Sequence, residues 1–556
     1  MAQRYTLAPP YAPPLTRPFP TLIPWAIARA EPLTLAAVIS LSFLHFLRIY
    51  DRGFNLLDEG FVLHVAERVL QGQVPYRDFF TQLTPGAFLA LAAVFKLTGP
   101  SVLVGRWVTL LLGLAITAML YWGGRQLVAR PTAALAALAF PVWGIGQGWF
   151  YPNYSWFALC CAVAALCCAL RAIRLTAAPD VSHRLGANPL AWHAAAGLLC
   201  GAAAFCKQNI GLYAAVGLCA ATLIALPTPT PRRVLSTAVL AAASLPIPLA
   251  LLLWLAANGA LDGFVRDAVW IPLRVFPLDM AAPYPPSWPP WPVPTDRPGY
   301  GEWAFRLVCL LPPLPYALAI VSLAVSTLLH RGAPTASHRA SLAAWLAFGL
   351  AIWATAFPRA DFDHVQVALG PAFVLGASGF ESIGGMLWRR RGPFIASALL
   401  GGFLLAGVGN ARLLHMGPDW TLRGIAGSAP RAAGLKLDHD EAMELRHLIG
   451  EVRRLTEPGD RIAALPWNAG LYFLAERRNA TRFDLFIPAS VLDDDMPEIE
   501  RSLATAGLIV LWTPRDPFVN NTSFDDRYPG LDRFIHTHFT ATAAVNAYRL
   551  LLPASG

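Results

Sequence analysis

The chain has 556 residues, of which 56% are hydrophobic and 14% charged, and its mean hydropathy is +0.47. These values exclude an ordinary soluble enzyme and indicate a polytopic membrane protein. The formal net charge is +9, but the basic residues lie mainly in short loops between apolar segments, a pattern that orients a chain in the bilayer. Nucleic-acid binding is therefore not predicted.

Membrane-spanning helices are predicted wherever the chain approaches the roughly 20 apolar residues that a bilayer core of about 30 Å requires. Alternate loops between these segments carry arginines such as Arg125, Arg130, Arg232 and Arg233, so we assign these loops to the cytoplasm. The N-terminal tail 1–31 is then cytoplasmic, and the C-terminus lies outside the cytoplasmic (inner) membrane. Eleven spans are predicted, at 32–50, 101–124, 131–147, 153–172, 191–206, 210–227, 235–257, 304–328, 342–357, 365–387 and 393–410.

The first predicted external loop, 51–100, contains the adjacent carboxylates Asp58 and Glu59 within an amphipathic stretch that we expect to lie on the bilayer. Adjacent residues of a helix point about 100° apart, so only one of the two can face a substrate. We predict Asp58 as a catalytic base, with Glu59 as the second candidate. The alternative is a structural role, because acidic residues are favoured at helix N-termini.

Three cations are predicted at the external membrane surface and are candidates for binding a phosphate: Arg77, Lys207 and Arg359. Lys207 lies between two apolar stretches, where an ionisable residue is costly unless it meets a counter-charge or water. It could instead extend to the interface as a simple anchor. Arg77 and Arg359 could merely pair with their neighbours Asp78 and Asp361.

The segment FPRADFDHVQVALGP at 357–371 places Arg359, Asp361, Asp363 and His364 in one short external turn. Asp361 and Asp363 could hold a divalent cation, Mg²⁺ or Mn²⁺, through their oxygens, with His364 beside them. The alternative is a polar turn that ends one helix and caps the next. The remaining substrate-binding candidates are polar residues of the external loops: Tyr76, Asp78, Asn153, Tyr154 and Gln208.

The last part of the chain, 411–556, is predicted to be an α/β domain outside the membrane. Its charge density rises and its apolar runs are short, as in a soluble unit. A helix is predicted at 440–455 and a strand at 461–465. A second helix and strand are predicted at 492–506 and 508–512.

The run LLDEGFVLHVAERVLQGQVPYRDFFTQLTPGAFLALAAVFKLTGPSVLVGRW resembles the first external loop of bacterial GT-C-fold glycosyltransferases. That superfamily includes the protein O-mannosyltransferases and the lipid A aminoarabinose transferases. The resemblance rests on Asp58-Glu59, on GQVPYRD at 72–78, on Pro85-Gly86 and on Arg106. It implies a GT-C-like catalytic membrane domain at 32–410, followed by the extracytoplasmic domain.

The same resemblance implies an activity: transfer of a hexosyl or pentosyl group from a polyprenyl-phosphate donor to a lipid, glycan or protein of the cell envelope. The reaction would take place at the outer side of the bacterial inner membrane. Two other functions stay open. A transporter or flippase of lipid-linked sugars would place polar residues at the midplane and at both mouths. A non-catalytic scaffold that binds envelope glycan would not need Asp58 and the cations to converge.

Overall fold

The computed structural model describes residues 22–147, 150–177, 188–284, 293–294, 297–328, 336–388, 391–415, 423–515 and 522–554. These residues form a helical membrane domain followed by a small α/β unit. Within them, eight helices are long and apolar enough to cross a membrane, at Val102–Gly124, Tyr154–Ala177, Pro189–Cys206, Gln208–Ala225, Thr230–Ala257, Gly299–Ala324, Phe362–Gly385 and Gly392–Arg412.

The other three predicted spans are also helical, but none of them reaches that length and hydropathy. One of them continues as a π-helix at Phe140–Ile145, where Pro141 has no N–H to donate and Gly144 leaves helical geometry with φ −90° and ψ −106°. The count of eleven spans therefore stays a prediction. The three helices that fall short of the required length or hydropathy are Leu22–Phe46, Arg130–Ala139 and Ala336–Ala354.

Prolines break two of the predicted spans. The span predicted at 235–257 is built from Thr230–Ala243 and Pro246–Ala257, and the one at 304–328 from Arg297–Cys309 and Pro313–Leu328. A proline cannot donate to the carbonyl one turn earlier, and its ring crowds that carbonyl, so a new helix begins there. The span at 365–387 begins as Phe362–Val365, continues as a 3₁₀ turn at Gln366–Ala368 and ends as Leu369–Trp388.

The first external loop forms two helices, Asp58–Leu70 and Gly86–Thr98. The expectation that its amphipathic stretch lies on the bilayer is wrong for the first of them, which is buried from Glu59 through Arg68. It packs instead against helix Ala469–Ala475 of the α/β unit. Gly60 permits this approach, because a Cβ on it would lie 2.3 Å from the backbone nitrogen of Gly470.

Charged side chains fasten the same helix to the α/β unit. Arg68 and His64 both contact Asp484, at 3.0 and 3.4 Å, and Glu67 contacts Arg431 at 2.7 Å. The imidazole of His64 also stacks on the ring of Tyr472, with centroids 4.8 Å apart. The α/β unit thus holds the helix that begins with Asp58 in place.

The α/β unit contains a five-stranded sheet with strand order β2-β1-β3-β5-β4. The two strands predicted from sequence, β1 and β3, are confirmed with the predicted bounds, while the edge strand β2 and the antiparallel hairpin β4-β5 were not predicted. Strand β1 runs parallel to β2 and β3, and β5 runs antiparallel to β3. The strands are β1 Arg461–Leu465, β2 Arg478–Asn479, β3 Leu508–Trp512, β4 Phe539–Val545 and β5 Tyr548–Pro553.

Both helices predicted in this unit are present, the first at His439–Leu455 and the second at Met496–Leu503. Apolar side chains such as Leu63, Phe88 and Leu448 join the external loop and the α/β unit in one buried cluster. The final membrane helix is Gly392–His415. Shorter helices lie at Leu261–Phe264, Ile271–Arg274, Phe276–Asp279, Phe524–Arg527 and Pro529–His538. A π-helix lies at Val265–Trp270, and 3₁₀ turns lie at Pro430–Ala432 and Asp493–Asp495.

Candidate active site

Asp58 is the first residue of helix Asp58–Leu70, and its carboxylate is not needed to cap that helix. The side-chain oxygen of Asn55 accepts the backbone N–H groups of Leu57 and Asp58 at 2.9 and 2.8 Å. Asn55 therefore satisfies two of the N–H groups that a helix start leaves without partners. The capping interaction expected as an alternative for Asp58 is supplied by another residue.

Glu59, the second candidate, points to a different side of the helix from Asp58 and is fully buried. Both of its oxygens accept hydrogen bonds from Arg106, each at 2.7 Å. The remaining N–H groups of Arg106 bind the backbone carbonyls of Tyr50, Arg52 and Gly53. This bidentate pair fixes the loop to the membrane domain, and it leaves Asp58 as the carboxylate that faces the other polar groups.

Asp58 lies in the electric field of residues that are distant in sequence. Burial raises the pKa of its carboxyl above the ordinary value, and the charge of Asp361 acts in the same direction. His364, Arg359 and a hydrogen bond from the Tyr151 hydroxyl lower this pKa, but the net shift is upward. Burial together with the charge of Asp58 also raises the pKa of Tyr151 well above its usual range. Tyr151 therefore stays protonated and can donate to Asp58.

The turn at 358–364 is organised around Asp361. One oxygen of Asp361 accepts the guanidinium Nε of Arg359 at 2.6 Å, and the other contacts the backbone N and the ring Nδ1 of His364 at 3.0 and 2.5 Å. Burial raises the pKa of Asp361, but His364 and Arg359 outweigh it and hold the pKa below the ordinary value. Asp361 thus caps the helix Phe362–Val365, as the structural alternative expected, and also holds Arg359 and His364 beside Asp58.

Lys207 joins this cluster from the turn between helices Pro189–Cys206 and Gln208–Ala225. Its Nζ donates to the Ser155 hydroxyl at 3.1 Å and lies 5.2 Å from the centre of the Tyr154 ring. Burial lowers the pKa of Lys207 to about 8, opposed by the negative charge of Asp361. The charge of Asp58 also acts on Tyr154. Tyr154 is thus a common neighbour of Asp58 and Lys207.

Arg77 is placed elsewhere. Its guanidinium binds both oxygens of Asp78, at 2.9 and 2.8 Å, and the backbone carbonyl of Asn258 at 3.2 Å. Among the described residues, no contact joins Arg77 to Asp58 or to the other two predicted cations. This is the pairing with Asp78 that the sequence left open, and a role of Arg77 in phosphate binding stays a prediction without a supporting contact.

The other substrate-binding candidates have structural partners. Tyr76 has a positive φ of 69° and donates its hydroxyl to the carbonyl of Leu83 at 2.6 Å. Asn153 accepts the N–H of Ser155 at 2.8 Å, next to the start of helix Tyr154–Ala177. Gln208 donates to the carbonyl of Gln82 at 2.7 Å. The bonds of Asn153 and Gln208 fix the chain next to the cluster residues Tyr154 and Lys207.

The cluster therefore consists of Asp58, Tyr151, Tyr154, Lys207, Arg359, Asp361 and His364, with the carboxyl of Asp363 acting on both Asp58 and Tyr151. The hydrogen bonds that Tyr151 and Ser155 make in this cluster were not predicted from sequence, and Arg106 entered only as part of the first-loop motif. An aromatic or hydroxyl residue at a membrane surface carries no distinctive pattern. Its partner is decided by helices far away in sequence.

A divalent cation at Asp361 and Asp363 is one of the two roles that the sequence left open for this turn. One oxygen of Asp361 is engaged by the guanidinium of Arg359 and the other by the backbone N–H and ring of His364, and a carboxylate that is already paired in this way does not suit a metal ligand. In the part of the chain that the structure describes, no three His, Cys, Asp or Glu side chains are grouped so as to hold a metal ion. The residues present do not fit the predicted metal site.

Known structures share this architecture. ArnT from Cupriavidus metallidurans in the apo state has a TM-score of 0.54 and 12% identity, over 94% of this chain and 98% of that chain. The same protein bound to undecaprenyl phosphate gives 0.52 and 15%, over 95% and 98%. The oligosaccharyltransferase AglB from Archaeoglobus fulgidus, in complex with an inhibitory peptide and a dolichol-phosphate, gives 0.51 and 12%, over 87% and 70%.

No protein-family model and no curated protein matches the sequence. The structural neighbours are GT-C-fold glycosyltransferases, so the resemblance drawn from the first external loop is confirmed at the level of the fold. A fold hosts many chemistries, and activity has to be argued from the side chains of the site.

Proposed function

We propose that the protein is a multi-pass membrane glycosyltransferase that moves one sugar from a polyprenyl-phosphate donor to a cell-envelope acceptor. The observation that carries the proposal is the convergence of Asp58, Lys207 and Arg359 in one half-buried polar cluster at one end of the membrane helices. A base and two cations are the groups that such a transfer needs. The polyprenyl phosphate seen in a neighbour of the same fold supports the choice of donor.

In the proposed reaction Asp58 accepts the proton of the acceptor hydroxyl as that oxygen attacks the anomeric carbon of the sugar. The bond from that carbon to the donor phosphate oxygen breaks, and the electron pair leaves with the phosphate. A carboxyl whose pKa lies above the ordinary range is a stronger base than an exposed aspartate. The hydrogen bond from Tyr151 orients it for this step.

Lys207 and Arg359 would bind the donor phosphate and stabilise the negative charge that it gains on departure. Among the described residues, the direct partners of Lys207 are a neutral hydroxyl and an aromatic ring. A phosphate would supply the counter-charge that the burial of Lys207 calls for. Arg359 is already paired with Asp361 at 2.6 Å, which holds its guanidinium beside Asp58. The chain's own residues thus supply the cationic surroundings of the leaving group.

The proposal places this cluster at the outer side of the bacterial inner membrane, with the α/β unit outside and the N-terminus in the cytoplasm. The arginines of the alternate loops support that orientation. Tags after the α/β unit and in the loop 258–303 should be accessible from outside, and a tag near Arg391 should not. A cytoplasmic α/β unit would overturn the assignment of the site.

A divalent cation is not part of the proposed mechanism, because both oxygens of the candidate ligand Asp361 are already engaged by Arg359 and His364. Dialysis of the purified protein against a chelator should leave sugar transfer unchanged. Loss of transfer that Mg²⁺ or Mn²⁺ restores would show that Asp361 exchanges Arg359 and His364 for a metal ion during the reaction.

The deciding experiment replaces Asp58 by Asn and compares it with Asp440→Asn, a matched change in the first turn of another helix. A deletion strain is complemented with each variant and its envelope glycans are analysed beside the wild type. Asp58→Asn should fail to restore the glycan, because a carboxamide has the shape but cannot accept the proton. Asp440→Asn should restore it. Restoration by a folded Asp58→Asn protein would exclude the base and favour a transporter or a glycan-binding scaffold.

A further inference from the structure

A cavity with three basic side chains in its wall lies at one end of helix Leu22–Phe46. This is the end of the helix that is nearer to the Asp58 cluster. Its volume is about 190 Å³, and its walls come from this helix end and from the last turns of helix Gly392–His415. Three of its side chains are basic, namely His45, Arg48 and Arg412, and none of its lining residues is acidic.

Among the residues that the structure describes, no carboxylate pairs with either arginine of this cavity. Within the described ranges, the side chains of Arg48 and Arg412 make no ion pair and no hydrogen bond, and both are exposed. By contrast, Arg106, Arg125 and Arg359 each bind a carboxylate. Cations that share one concave surface without an anion repel each other, and a bound anion removes that repulsion.

The cavity lies at one end of a helix that we assign to the membrane, which is where lipid headgroups are expected. The opposite end of helix Leu22–Phe46 is marked by the pair of Glu31 and Arg125, and the near end is followed by Tyr50, whose carbonyl binds Arg106. Below the cavity the same two helices expose leucines toward the bilayer, at Leu41, Leu44 and Leu405. A lipid whose headgroup occupies the cavity would therefore place its acyl chains along this apolar surface.

We propose that this cavity binds the phosphate group of an anionic lipid from the leaflet on the Asp58 side, in addition to the donor phosphate. Arginine is the side chain best suited to a lipid phosphate, because its planar fork of N–H groups matches the phosphate oxygens. Gly409 contributes no side chain to the cavity wall, and an added Cβ there would meet nothing within 4 Å. The proposal stands independently of glycosyl transfer.

Native mass spectrometry of the purified protein tests the proposal by measuring how much phosphatidylglycerol and phosphatidylcholine stay bound. The wild type should retain one phosphatidylglycerol more tightly than phosphatidylcholine. Arg48→Gln with Arg412→Gln should weaken that retention by roughly tenfold or more, the loss expected for a charged hydrogen bond. Arg274→Gln, at an exposed arginine of the loop 258–303, should leave it unchanged.

A second variant tests the cavity without altering its charge. Gly409→Leu adds a side chain where the structure has open space, so it should fold normally and still reduce retention of phosphatidylglycerol. Equal retention of the two lipids, or undiminished retention in both cavity variants, would overturn the proposal. Displacement of the lipid by inorganic phosphate at equal concentration would also overturn it, since the site would then bind free anions.

Discussion

Replacing Lys207 by Met tests the donor-phosphate site most directly. Lys207 is 8% exposed, and its Nζ donates a hydrogen bond to the Ser155 hydroxyl at 3.1 Å. Asp361 is the charged residue of the described chain that acts on Lys207. A buried cation with neutral contacts gains most from a ligand that brings its own negative charge. We therefore expect Lys207→Met to weaken donor binding more than any change at an exposed cation.

The magnitude follows from one charged hydrogen bond. Such a bond contributes about 2 kcal/mol, so the dissociation constant should rise roughly thirtyfold. Binding should also depend on pH, because burial lowers the pKa of Lys207 to about 8 and only the protonated amine attracts phosphate. Affinity should be constant below pH 8 and should fall above it, by up to about one factor of ten per pH unit.

The assay is a titration of a phosphodiester analogue of the donor, whose own charge is constant between pH 7 and 9. Lys207→Met should show weak binding that no longer changes over this range. Lys96→Met is the matched control, because Lys96 is exposed, and it should bind like the wild type. Unchanged affinity and an unchanged pH profile in Lys207→Met would place the phosphate elsewhere.

Three further predictions concern stability and turnover. Arg106→Met should lower the free energy of unfolding by about 3–5 kcal/mol, because it leaves the buried carboxylate of Glu59 unpaired; adding Glu59→Leu should recover part of the loss of Tm. Burial lowers the pKa of His64, but Asp484 raises it more and the net shift is upward. The stability that this pair contributes is therefore complete below about pH 6.5 and is lost as pH rises through the raised pKa. Asp484→Asn should flatten that dependence of Tm on pH. Arg359→Gln should lower kcat more than donor affinity, because charge develops on the departing phosphate; equal losses in both would contradict this role.

The burial of helix Asp58–Leu70 under the α/β unit connects the two halves of the protein. Gly60 meets Gly470 backbone to backbone, and Arg68 reaches Asp484. The position of Asp58 thus depends on contacts made more than 400 residues later in the chain. A change at this junction is expected to alter the site through the start of the helix.

The sequence by itself determined the membrane class, the helices of the predicted spans and the strands β1 and β3. These depend on local composition and periodicity, which a single stretch of chain carries. Pro246 and Pro313 shift helix boundaries by local steric effects, yet the apolar runs around them read as continuous. The hairpin β4-β5 was missed because β4 is largely exposed and carries no continuous apolar run.

Only the tertiary structure decided which of the predicted polar residues meet. The sequence predicts that Asp58, Arg77, Lys207 and Arg359 lie at one membrane surface, since each follows or precedes an apolar span. It does not give the distances between them within that surface. The packing of helices distant in the chain brings Lys207 and Arg359 toward Asp58, whereas the adjacent carboxylate of Asp78 holds Arg77. An ion pair between adjacent residues can be predicted from the sequence. The approach of residues from distant helices cannot, because long-range contacts leave no periodic signal in the sequence.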